Sequence, residues 1–73
     1  MHRAMLERHL TQAEEHVALG EHHIARQREL VGEMERDGHE TPKARRLLAT
    51  FEEMQERHRA DRDRIWNELA QNS

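Results

Sequence analysis

The 73-residue chain has no cysteine and no tyrosine, and only one phenylalanine, one tryptophan and one proline. The absence of cysteine removes disulfides, thiolate zinc sites and cysteine nucleophiles together. A chain this short buries little surface, so its core needs reinforcement from self-association or from a histidine or carboxylate metal site. No apolar run approaches the roughly 20 residues of a membrane span, and the opening MHRAMLERHL lacks the apolar core of a signal peptide. A cytoplasmic protein without membrane contact is expected. Positive charge is nowhere collected away from acids and the net charge is −3, which argues against a nucleic-acid partner.

What the chain does have is charge. Charged residues make up 37% and hydrophobic ones 34%, a composition bordering on disorder. The pattern argues for order. Strong punctuation occurs once, at RDGHETP, with helix-forming residues on both sides. Gly38 suits the left-handed residue after a helix end, and Thr41 followed by Pro42 reads as an N-cap and first helical residue. The expectation is a helix over about 3–36, a turn over about 37–41 and a helix over about 42–70, rods of roughly 50 and 43 Å at 1.5 Å per residue.

In the first helix Leu6, Leu10, Ala13, Val17, Gly20, Ile24, Gln27, Val31 and Met34 alternate steps of four and three, the spacing of a coiled-coil seam. In the second, Leu47, Phe51, Met54, His58, Ile65 and Leu69 fall on one stripe, flanked by Ala44, Leu48 and Trp66. The short turn makes the helices antiparallel neighbours, so the fold class is all-α, a coiled-coil-like two-helix hairpin. Pairing about the turn, with residue numbers summing to about 79, sets Ile24 near Gln55, Gly20 near His58 and Leu10 near Leu69. It also brings Glu14, Glu15 and Glu21 alongside Arg57, Arg59, Arg62 and Arg64.

The apolar surface is wider than one partner helix covers, because Met5, Leu19 and Leu30 lie beside the first seam, and Leu48 and Trp66 widen the second. Two hairpins packed as a homodimeric four-helix bundle would bury these flanks. The seam and dimer residues are therefore expected to be Leu6, Leu10, Val17, Ile24, Val31, Leu47, Phe51, Ile65, Trp66 and Leu69.

His2, His9, His16 and His23 follow one another at intervals of seven. Chelation along a helix needs a spacing of three or four, and residues seven apart stand about 10.5 Å apart, too far to share an ion. No metal site and no cofactor are expected. The ladder reads instead as the polar edge of a subunit interface. Histidine titrates nearest neutrality, so protonation there would weaken a dimer. Within the seams, His58 is expected to be a packed core histidine bonded across to the space left by Gly20. Gln27 and Gln55 are similar polar interruptions able to set register. His9, His16, His23, His58 and Gln27 are the polar core or switch candidates.

The run HVALGEHHIARQRELVGEMERDGHETPKARRLLATFEEMQERHRADRDRIWNEL, residues 16–69, resembles a group of short uncharacterised proteins of soil and plant-associated alphaproteobacteria. HIARQR, DGHET, LLATFE and RDR carry the resemblance, which implies a bacterial cytoplasmic protein and no particular activity. In architecture the chain is also similar to the Rop-type helical-hairpin dimer that binds RNA loops. No nucleophile–base arrangement, phosphate loop or enclosed carboxylate pair suggests catalysis. The leading expectation is a non-enzymatic, self-associating helical module, a small regulator or adaptor acting on an unidentified protein partner. The alternatives are an RNA-binding hairpin dimer using Arg26, Arg28, Arg45 and Arg46, and a histidine-based switch responding to protons or metal.

Overall fold

The structure, a computed structural model, describes residues 2–71. Two α-helices, α1 (His2–Arg36) and α2 (Pro42–Gln71), pack against each other as an antiparallel hairpin about 55 Å long. No described helix is long and apolar enough to cross a membrane.

The turn is built by local chemistry. Gly38 has φ +75°; its N–H donates to Glu35 O at 3.2 Å, and the N–H of His39 donates to Met34 O at 2.9 Å. This pair of bonds is the Schellman closure, which satisfies carbonyls left over at the helix end and needs a left-handed residue. Gly38→Ala is expected to cost about 1 kcal/mol, because Cβ is disfavoured at positive φ; unchanged unfolding in urea would contradict this. α2 starts where Arg45 N–H donates to Thr41 O at 2.8 Å. The Thr41 hydroxyl departs from the expected cap: it accepts from Arg45 Nε at 2.9 Å.

All the α1 seam positions are buried or half-buried, with Ala13, Val17, Ile24, Gln27 and Val31 the most enclosed. On α2 the buried and half-buried positions Ala44, Leu48, Phe51, Gln55, His58, Arg62, Ile65 and Leu69 keep the same alternating steps. This stripe differs from the one expected from apolar residues alone. Leu47 and Met54 are exposed, with Leu48 and Gln55 in their places, and Trp66, expected beside the stripe, is exposed too. Both rows have heptad spacing and share Phe51, His58 and Ile65, so spacing alone does not choose between them; packing against α1 rotates the helix so that Ala44, Leu48 and Gln55 face in and Leu47 and Met54 face out.

The register differs as well. Gln55, not His58, lies across from Gly20, so seam partners have numbers summing to 75. The expected value of about 79 suits the flank, where Arg28 meets Glu52 and Glu21 meets Arg59. Cβ vectors lean toward the N-terminus of each helix, so facing seam layers and flanking pairs are offset by about one turn.

Two glutamines bridge the helices. Gln27 Nε2 donates to Ala44 O at 3.0 Å and Gln55 Nε2 to Val17 O at 2.8 Å. At the open end, Ala13, Ile65 and Leu69 form an apolar cluster with Leu6 and Leu10 packed against it.

Candidate functional site

The two sides of the hairpin are chemically unlike. On one, heptad-spaced Glu21, Arg28 and Glu35 of α1 meet Arg59, Glu52 and Arg45 of α2, with Arg28–Glu52 at 3.2 Å and Glu21–Arg59 at 3.7 Å. Only the Glu21–Arg59 pair comes from the charge alignment anticipated for the second helix; Arg62 pairs with Asp63, and Arg64 with Asp61 and Glu68. Apart from the half-buried Arg62, these side chains are substantially solvated, so each such pair contributes at most about 1 kcal/mol. Trp66 occupies the next heptad position after Arg59 on this flank and is 59% exposed.

The opposite side has a different character. His16, Leu19, Gly20 and His23 of α1 and Phe51, Met54 and His58 of α2 line an open trough of about 300 Å³ whose surface is mostly apolar carbon. Beside it, Gln55, the most completely buried side chain at 1% exposure, fills the space that a side chain on Gly20 would take. A Cβ on Gly20 would overlap Gln55 Oε1 and stand 2.7 Å from its Cδ. Gln55 Oε1 itself has no hydrogen-bond partner among the described residues. Leu30 continues the histidine heptad toward the turn, and Leu47 continues that of Met54; both are exposed, as are Leu19 and Met5.

The histidines separate into two groups. His16 and His58, from different helices, meet with ring centroids 5.3 Å apart and planes tilted by 48°, and His23 lies 5.8 Å from the Phe51 ring. His58 is therefore half-buried against another imidazole, rather than bonded across the seam into the Gly20 gap. The buried polar position belongs to Gln55, one of the two polar interruptions expected in the seams. His9 lies farther along, in a separate cleft with His16, His58, Asp61 and Arg64. The side chain of His2 lies outside the described residues. Among the described residues, no group of three or more His, Asp or Glu is placed to hold a metal ion.

No family model, curated protein or solved structure matches this chain. The two flanks themselves must carry the functional reading. Three of the four arginines considered for RNA are tied to acids, Arg26 to Glu29 at 3.5 Å, Arg28 to Glu52, and Arg45 to Glu35. A phosphate backbone would have to displace these carboxylates. Of the other expected seam residues, Val17, Ile24, Val31, Ile65 and Leu69 are buried, and Leu6, Leu10 and Phe51 half-buried. Leu47 and Trp66 lie outside the seam on opposite flanks.

Proposed function

We propose that this chain is a non-enzymatic helical module that works by self-association, two hairpins joining their histidine-and-apolar flanks as a four-helix bundle. The observation that carries this reading is the asymmetry of exposure. Leu19, Leu30, Leu47 and Met54 are exposed on one flank, while ion pairs occupy most of the other. Exposed apolar surface of this kind, rimmed by polar residues, marks an interaction site. A second copy suits it for two reasons. The trough carries no formal charge while its histidines are neutral, so an identical face brings no like-charge repulsion. The hairpin's own seam is also poor in apolar side chains: Gln27 and Gln55 interrupt it, and the space beside Gly20 is filled by the Gln55 amide. A chain of this size gains its missing core most directly from its own twofold mate.

Sedimentation equilibrium at neutral pH is expected to give twice the chain mass. Leu30→Glu and Met54→Glu are each expected to shift the protein to monomer with its helical circular dichroism largely kept, because a buried carboxylate in an apolar interface is strongly disfavoured. A wild-type monomer at high micromolar concentration, or dimers unaffected by both substitutions, would rule the reading out.

A further inference from the structure

We infer that self-association of this chain is gated by protons at His16, His23 and His58, so that the assembly forms above the ordinary imidazole range and comes apart below it. This rests on the self-association proposed above. The fold gathers these three imidazoles, from both helices, into the one trough otherwise lined by Leu19, Phe51 and Met54. They differ in this from the remaining histidines of the apolar side. A second copy closing over the trough would take them out of water. Burial disfavours a charged imidazole, and His16 and His58, 5.3 Å apart across the helix pair, would repel each other when both are protonated.

The neighbouring charges do not offset this. Asp61, the carboxylate that shares a cleft with His16 and His58, stands 3.4 Å from Arg64, so its charge is already engaged. Arg62, next to them along the α2 seam, is likewise engaged, with Asp63 at 3.1 Å. His9 in the same cleft, and His22 at 6.1 Å from His23, can only add further positive charge as pH falls. No Asp or Glu lines the trough. The associated state therefore favours the neutral imidazoles, and its stability is present at high pH and lost as pH drops.

The free imidazole titrates near about 6.5, and each proton excluded from an interface weakens association by up to about tenfold per pH unit below that value. Sedimentation velocity of the full chain at about pH 7.5 and about pH 5.5, either side of that range, is expected to show at least a tenfold weaker dimer at the lower pH. The variant His16→Phe/His23→Phe/His58→Phe keeps ring bulk and is expected to remain dimeric at both. Dilution calorimetry of the wild type in two buffers of different ionisation heat supplies a reading that does not depend on that variant folding: net proton uptake on dissociation is expected near the imidazole range. Equal dimer constants at the two pH values, zero proton uptake, or an undiminished pH response in a folded triple variant would overturn the inference while leaving the dimer intact. A wild-type monomer at the higher pH would instead remove the self-association reading beneath it.

Discussion

Gly20→Leu is expected to destabilise the hairpin by about 3 kcal/mol, the upper part of the range for overpacked cores. In an isolated helix the change would help, since glycine costs about 1 kcal/mol of helix propensity. Here the tertiary contact decides the sign. Gln55 Oε1 already occupies the place where a Cβ would stand, and Gln55, 1% exposed, has no solvent to retreat into. Leucine must push the helices apart or expel the Gln55 side chain, which would lose its bond to Val17 O. Urea unfolding followed by far-ultraviolet circular dichroism, at matched protein concentration so that association does not confound it, measures the loss. Adding Gln55→Ala to Gly20→Leu vacates the site and is expected to restore most of the stability. A neutral Gly20→Leu, or a double variant no better than the single one, would show that the helices do not approach through this pair.

Ile65→Ala is expected to cost about 3 kcal/mol, and Trp66→Ala less than about 1 kcal/mol. The residues are adjacent, and both are large and apolar enough to stabilise a core. Ile65 is 7% exposed within the cluster of Ala13 and Leu69, with Leu6 and Leu10 beside it, whereas Trp66 is 59% exposed on the flank that carries the ion pairs. Truncating Ile65 leaves a void that the small Ala13 cannot fill, and the open end of the hairpin has no turn to hold the helices together. Comparing thermal unfolding of the two variants checks the register directly. Similar losses for both would mean that the α2 stripe is rotated from the one described.

Several features were legible in the order of residues. Alternating steps from Leu6 to Met34 marked the α1 seam, because one stripe of a helix returns to the same side at that interval. The glycine–proline punctuation at Gly38 and Pro42 marked the turn, because only a few residues tolerate the backbone that a helix ending requires. The seven-residue spacing of the histidines showed that no two neighbours along that ladder could chelate one ion.

The α2 stripe and the pairing between helices were not legible in the same way. An apolar side chain such as Leu47 or Met54 advertises burial, yet two rows of the same heptad spacing cross at Phe51, His58 and Ile65, and packing against α1 enclosed the row that holds Gln55. Register depends on where two leaning rows of side chains interlock, so the seam and the ion-paired flank follow different offsets that no single sum expresses. The meeting of His16 with His58 follows from that register alone. Periodicity and turn chemistry, being local, determined that this chain is a helical hairpin. Which polar group is buried, which flank is left apolar, and which histidines share a trough depend on contacts between residues distant in sequence, and only the packed pair of helices decided them.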